Sequence, residues 1–377
     1  MMTAAVASRH RAWIDIDHVA LVANLAALRH LAGAAEIIAV VKANAYGHGA
    51  VEVAQTLSER GSERLAVATL SEAVELRNHG LVGPMVLLWG IGEGDGEQVA
   101  ATGVEPIVTS ALDVGWLEAA ADAANRRIGV HLKIDTGLGR QGIEPALAVD
   151  LATRISASRH LALVGTMTHL AAAGEDVAHC DLQLQRMADV LDGLHSHAID
   201  PGLVHIGGTG AILAGAGGFA DAVRPGIGLY GLAPDWADAT AAGLMPVLSL
   251  RALPLRIFEV AAGTPIGYGM RWQAPSAARL ATLPIGYGDG WPRIHLNNGV
   301  ALVRGQRVPM VGAISMDGLV VDVSGVDSVS LDDEFVLIGR QGNQEITADE
   351  VAVQRGTINY EVTTMLRSRL PRRHGRP

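Results

Sequence analysis

At 377 residues, 49% of them hydrophobic and 18% charged, the chain has room for two or three domains with large cores. Its formal charge of −10 argues against nucleic acid as a partner, because that binding leans on many Lys and Arg contacts. No run approaches the ~18 uninterrupted apolar residues that a membrane span requires, and a single cysteine, Cys180, rules out an intrachain disulfide and makes a reducing cytoplasm the simplest compartment.

The first segment, Met1 to Asp17, carries Arg9, His10, Arg11, Asp15 and Asp17 without a sustained apolar centre, so no signal peptide is expected. Within it, residues 12–17 alternate like a half-buried strand. Residues 18–31 have helical period. Eight apolar segments then follow, at 37–42, 65–69, 85–89, 104–109, 128–134, 161–167, 203–207 and 222–229, with alanine- and leucine-rich helical stretches such as 71–78, 111–124 and 180–194 between them. Strands alternating with helices in this way predict a (β/α)8 barrel of the TIM type over residues 18–243, with active-site groups at the C-terminal strand ends.

After about residue 243 the texture changes. Short β-rich runs at 246–260, 279–285, 300–308, 318–323 and 334–338 are separated by Gly, Pro, Asn and Asp, and 348–354 is the clearest helix. This reads as a second, mostly β domain over 244–377, with the early strand at 11–17 joining it. The arginines at 367, 369, 372, 373 and 376 read as a solvated basic tail. No metal motif of the His-Glu-x-x-His or Cys-x-x-Cys kind occurs, and His195 and His197, two apart, diverge on a helix, so no metal is expected.

The stretch around which the rest is organised is 37–49, Ile-Ile-Ala-Val-Val-Lys-Ala-Asn-Ala-Tyr-Gly-His-Gly. Its first five residues are apolar and mostly β-branched, the pattern of a strand buried on both faces. Lys42 then stands at a strand end. A lysine in apolar surroundings has a lowered pKa and can attack a carbonyl to form a Schiff base, although a lone lysine at such a place more often snorkels to solvent.

Residues 40–49 resemble the cofactor-lysine segment of alanine racemases, and the similarity runs from about Ala12 to Glu361. The resemblance implies pyridoxal 5′-phosphate bound through Lys42. Tyr46, Thr209, Gly226, Ile227 and Tyr360 would surround its phosphate, and the loops 206–210 and 224–228 supply the backbone donors that barrels place after their last two strands. Arg224 matches the arginine that faces the pyridine nitrogen. Because arginine stays protonated, the ring nitrogen should stay largely unprotonated, favouring reprotonation at Cα over transamination. His169 matches a histidine beside the ring. Arg140 corresponds to the carboxylate-binding arginine, Met316 to a backbone donor from the partner subunit, and Tyr287 to a tyrosine at the substrate entrance, where a simple turn is the competing account. Lys133 matches a lysine often carbamylated in relatives; on one strand face with Asp135, it could instead simply pair with that carboxylate.

Racemisation removes a proton from one face of Cα and returns one to the other, so two bases are required. Lys42 serves one face. Tyr268 matches the second base, which in the family comes from the partner subunit and makes a homodimer necessary. A phenol is a poor base at neutral pH unless cations favour the phenolate. One departure stands out: Gly208-Thr209 replaces the family's usual Asn-Ser, which removes an amide side chain and implies a wider pocket in which serine is accepted beside alanine. The family's role is to supply D-alanine for cell wall. A racemase of shifted specificity and a non-catalytic cofactor carrier are the alternatives. Residues 244–377, with Tyr268 and Met316, speak against the carrier, and a barrel decarboxylase would need a cysteine-bearing β-domain site.

Overall fold

The computed structural model describes residues 10–375, which form two compact units: residues 20–245, and residues 246–375 together with the N-terminal segment up to Val19. Arg376 of the basic tail and residues 1–9 of the N-terminal segment lie outside the described residues. No helix among those described is long and apolar enough to cross a membrane.

The strand β1 (Ala12–Asp17) lies outside the barrel, between the strands Leu248–Ala252 and Arg372–Gly375. The barrel closes from β2 (Glu36–Val40), β3 (Arg64–Val67), β4 (Met85–Leu87), β5 (Glu105–Val108), β6 (Ile128–Lys133), β7 (Leu161–Thr168), β8 (Leu203–Ile206) and β9 (Ala222–Val223), all pairing in parallel. All eight predicted strands are present, with two corrections at their ends. β2 stops at Val40, two residues before Lys42, because the chain turns left-handed there. β9 has only two residues where 222–229 was expected; Arg224 and Pro225 leave the ladder and a 3₁₀ turn takes up Ile227–Tyr230.

Ile38, Val40, Ala66, Val86 and Ala222 pack as an apolar cluster inside the barrel. β6 and β8 instead send His131, Lys133 and His205 into buried positions. Gly165 on β7 makes this possible: a Cβ there would sit 2.3 Å from His131 Nδ1, so no other residue leaves the ring its place. Buried polar side chains in a barrel core must have partners, because each orphaned group costs about 1–3 kcal/mol.

The other unit is built on a twisted sheet running Arg256–Val260, Ala278–Leu283, Leu319–Asp322, Gln306–Val311, Val300–Val303, Phe335–Gln341, Leu248–Ala252, β1, Arg372–Gly375. Two of the predicted runs are each two strands: 246–260 breaks at Leu253-Pro254, and 300–308 is a hairpin turning at Arg304-Gly305, both with positive φ. Besides the helix Ala348–Arg355, a second one, Asn359–Thr364, was not foreseen; at six residues it is too short for a periodic signal.

Candidate active site

Lys42 opens a left-handed turn. Ala43, Asn44, Ala45 and Tyr46 all have φ between 52° and 54°, a conformation that costs an L-residue roughly 1–2 kcal/mol each. Such a run persists only when its surroundings over-determine it. Here the Ala43 N–H donates to Glu72 Oε1 at 2.7 Å, the Ala50 N–H to Asn44 Oδ1 at 2.8 Å, and the Gly47 and Gly49 N–H groups to the Ala43 and Asn44 carbonyls at 3.0 Å. His48 Nδ1 lies 3.0 Å from the carbonyls of both Ala45 and Tyr46, and its ring stacks on Tyr230, whose hydroxyl donates to the Val40 carbonyl. The residues after Lys42 are thus the fabric of the turn. Burial lowers the Lys42 pKa, Arg140 and Arg224 lower it further, and Glu72 opposes them.

A chain of hydrogen bonds runs through the barrel from Glu105 to Arg224. Arg224 Nη1 donates to His205 Nδ1 at 2.9 Å, so His205 must carry its proton on Nε2, which reaches His131 Nδ1 at 2.9 Å. His131 Nε2 then donates to Glu105 Oε2 at 3.1 Å, and Arg64 closes the far end on the same carboxylate. One arginine therefore fixes two tautomers and points both rings at one acid. Arg224 also donates to the carbonyls of His205 and Thr168 at 2.6 Å, with His169 Nδ1 at 3.4 Å. Among the described residues no carboxylate pairs with Arg224 directly. Burial lowers its pKa to about 9, leaving it charged at neutral pH.

The same burial keeps the histidines neutral. His205 is held well below the ordinary imidazole value, His131 is lowered, and His169 is held at about 3 by burial and then by Arg224, Arg140, Lys42 and Lys133. In the unfolded chain these rings take up protons near ~6.5, so the unfolded state binds more protons than the folded one below that pH. Stability should accordingly be highest above about pH 6.5 and fall towards pH 4. Urea midpoints measured across that range check this, and a flat profile would show that the rings titrate freely.

Lys133 does not pair with Asp135. Its Nζ donates to Gln141 Oε1 at 2.9 Å, while Asp135 Oδ1 accepts the N–H groups of Gly137, Leu138 and Gly139 and so shapes the turn that leads to Arg140. The tight turn claims the carboxylate before the lysine can. Gln141 Nε2 reaches the Trp89 carbonyl at 2.7 Å, and the Arg140 guanidinium lies 5.7 Å from the Trp89 ring centroid. Burial, with Arg140 and Arg224, lowers the Lys133 pKa to about 8.

Thr209 ties the two glycine-rich loops together, its Oγ1 accepting the N–H groups of Gly226 and Gly228 at 3.2 and 3.0 Å. Its hydroxyl proton remains to donate. Among the described residues no protein group takes the N–H donors of Thr209, Gly210 and Ile227. Tyr46 stands against Gly226, where a Cβ would lie 2.3 Å from the Tyr46 hydroxyl; glycine is what admits that phenol. Donors with no acceptor among them suit a small anion such as a phosphate. At Gly208 a Cβ would meet the Arg224 carbonyl at 3.2 Å and His169 Cε1 at 3.7 Å, so this position adjoins both residues.

In the other unit, Tyr268 begins a 3₁₀ turn, Tyr268–Met270, and is 74% exposed; Met316 is 53% exposed. Tyr287 begins another such turn, so the simple turn is there, with a half-exposed ring upon it. The Tyr287 and Gly288 N–H groups donate to the carbonyls of Ser315 and Met316 at 3.1 and 2.9 Å, and Arg369 braces both loops through Asp289 and Asp317. Tyr360 lies in the short helix Asn359–Thr364.

Sequence reasoning passed over Glu72, which looks like an ordinary helix-capping acid, and the pair His131 and His205, which sit on strands like satisfied core residues. It also passed over a plain signal. The chain contains only two lysines, Lys42 and Lys133, and each lies within electrostatic reach of the other and of Arg140 and Arg224.

The family models for the N-terminal and C-terminal domains of alanine racemase match residues 16–234 and 247–374. The alanine racemases of Halothermothrix orenii and Symbiobacterium thermophilum are each 38% identical, over 96% of this chain and 96% and 97% of their own lengths. The crystal structure of alanine racemase from D-cycloserine-producing Streptomyces lavendulae superposes with a TM-score of 0.92 at 34% identity, covering 98% of each chain. Barrel, β-rich unit and matches together define an amino-acid isomerase. The chain belongs to the alanine racemase family.

Proposed function

We propose that the protein interconverts L- and D-alanine with pyridoxal 5′-phosphate held at the C-terminal end of the barrel, and that two bases, Lys42 and the Tyr268 of a second copy, act on opposite faces of Cα. The observation that carries this reading is the gathering of the chain's only two lysines with Arg140, Arg224 and His169 around one strained turn. When bound, the cofactor would supply the electron sink that makes the Cα proton removable.

Each residue then has a task that its surroundings support. Thr209, Gly226, Ile227 and Tyr46, with Tyr360, would hold the phosphate through hydroxyl and backbone donors. Arg224, oriented by two carbonyls and a histidine of fixed tautomer, would present its charge to the ring nitrogen, with His169 beside it as a neutral ring. Arg140 would take the substrate carboxylate. Lys42, desolvated and near two guanidiniums, is poised to lose its proton and therefore to accept one from Cα. Tyr268 and Met316 are as exposed as groups that await a partner surface, which supports a homodimer with shared sites and Tyr287 at the entrance. In this reading residues 18–243 form the cofactor domain and 244–377, with the strand at 11–17, the domain that completes the neighbour's site; the enzyme works in a reducing cytoplasm and its D-alanine feeds cell-wall synthesis.

A Lys133 held at about 8 has an appreciable neutral fraction at physiological pH, and the neutral amine is the form that adds CO2. We expect a carbamate there, turning a cation into an anion that can hold Arg140. Intact mass in bicarbonate buffer should show one added CO2, lost in a Lys133→Arg variant; an unmodified mass would leave Gln141 as its partner.

Chiral assay of the purified, cofactor-loaded protein against a panel of small amino acids tests the function as a whole. Alanine should lose its optical activity, and serine is the second substrate expected from the missing amide side chain at Gly208, where a Cβ would lie 3.2 Å from the Arg224 carbonyl. Alanine that keeps its handedness contradicts the reading, and strict alanine preference contradicts the role given to Gly208.

A further inference from the structure

Glu72 does two things at once. Its Oε2 accepts the N–H groups of Ala68 and Thr69, at 2.8 and 3.1 Å, completing the capping box in which the Thr69 hydroxyl accepts the Glu72 N–H. Its Oε1 is turned the other way and accepts the Ala43 N–H at 2.7 Å, on the residue directly after Lys42. A capping box needs only one of these oxygens. The other is committed to the first residue of a left-handed run, where a charged acceptor is roughly twice as strong as a neutral one.

The charges around Lys42 are otherwise of one sign. Arg140, on the turn after β6, and Arg224, after β9, push the amine towards neutrality, and Lys133 on β6 is a further cation wherever its amine carries no CO2. Among the described residues Glu72 is the one acid that acts on Lys42. A lysine that must alternately hold and release a proton needs both forms within reach. Burial and two guanidiniums disfavour the protonated form, and Glu72 opposes them.

We propose that Glu72 is the positioning residue of Lys42: its carboxylate ties the capped helix Leu70–Asn78 to the left-handed turn at Ala43 and places a negative charge against the residue that follows the lysine. This deepens the racemase reading and rests on it for the use of the Lys42 proton. Two substitutions remove the charge and differ in how many of the contacts they keep. Glu72→Gln removes the charge and leaves a single acceptor oxygen, which can serve either Ala43 or the Ala68 and Thr69 N–H groups but not both, whereas Glu72→Ala removes every acceptor.

The two-lysine composition makes the test direct. Full-length protein freed of cofactor and held in CO2-free buffer, where Lys133 is a free amine, is labelled with acetic anhydride across a pH series, and mass spectrometry follows Lys42 and Lys133 separately. The labelling midpoint of Lys42 should move to lower pH in Glu72→Gln, with that of Lys133 little changed, and amide exchange should accelerate at whichever of Ala43 and Thr69 the single amide oxygen gives up. In Glu72→Ala exchange at Ala43 should accelerate. A Lys42 midpoint in Glu72→Gln that is unchanged or higher overturns the electrostatic role, and unchanged Ala43 exchange in Glu72→Ala overturns the structural one. If Glu72→Gln fails to fold, the effect of Glu72 is read on wild type, where slow exchange at Ala43 is required and fast exchange is contradictory. Alanine turnover of the wild type is measured alongside; its absence would sink the racemase reading while leaving the labelling result interpretable.

Discussion

Replacing Lys42 by alanine should reduce alanine racemisation by about 10²–10⁴-fold or more, the range expected when a positioned acid-base group is lost, and should abolish borohydride-stable attachment of a pyridoxyl group to the chain. The second readout is unusually clean. Only Lys42, Lys133 and the N-terminal amine can carry such a label, because the sequence has no other lysine. If the label persists in Lys42→Ala and maps to Lys133, the amine roles have been exchanged and the account of the turn is wrong. Folding should be little affected, since the turn is held through the backbone of Ala43, Asn44 and Gly47 and through His48, not through the Lys42 side chain.

Arg224 carries the second large effect, and here stability and chemistry move together. In Arg224→Ala the carbonyls of Thr168 and His205 and the Nδ1 of His205 lose their donor at once, with each orphaned buried acceptor costing about 1–3 kcal/mol. Urea denaturation should show a loss of about 3 kcal/mol or more. Arg224→Glu asks for more. A carboxylate facing His205 Nδ1 demands a proton there, which reverses both imidazoles and leaves His131 Nε2 as an acceptor against Glu105, so that Glu105 must itself take up a proton. Racemisation should fall by about 100-fold, as for loss of a preorganised charge, and amino-group transfer to the cofactor should take a larger share of the turnover that remains. A variant as stable as the wild type, with an unchanged ratio of racemisation to transfer, would remove Arg224 from the role assigned to it.

Much of the barrel was legible because parallel strands buried on both faces leave continuous apolar runs, and eight of them at strand-helix spacing admit few other folds. Their ends were not legible. Nothing in Val40-Val41-Lys42 tells that the ladder stops at Val40, since a left-handed run of four non-glycine residues contradicts local preference and is held by Glu72 and His48 from outside it and by the Asn44 side chain within it. For the same reason Lys133 and Asp135, properly placed on one strand face, could not be seen to part: the turn at 137–139 takes the carboxylate. The relay from Glu105 to Arg224 joins residues 26, 74 and 19 positions apart along the chain. Its members are recognisable only once strand register brings them together. The motif residues, by contrast, were legible as a resemblance before any contact was known.

The claim that the rest depends on is that each site takes Lys42 from one chain and Tyr268 from another, and mixing two inactive variants tests it most directly. Lys42→Ala and Tyr268→Ala proteins, each inactive alone, are unfolded together and refolded in equal amounts with cofactor. In a shared-site dimer the mixed species has one site with both bases intact, so the mixture should recover about a quarter of wild-type activity. Activity no greater than that of the separate variants would contradict the account, because it would mean that both groups serve the same chain or that Tyr268 serves none.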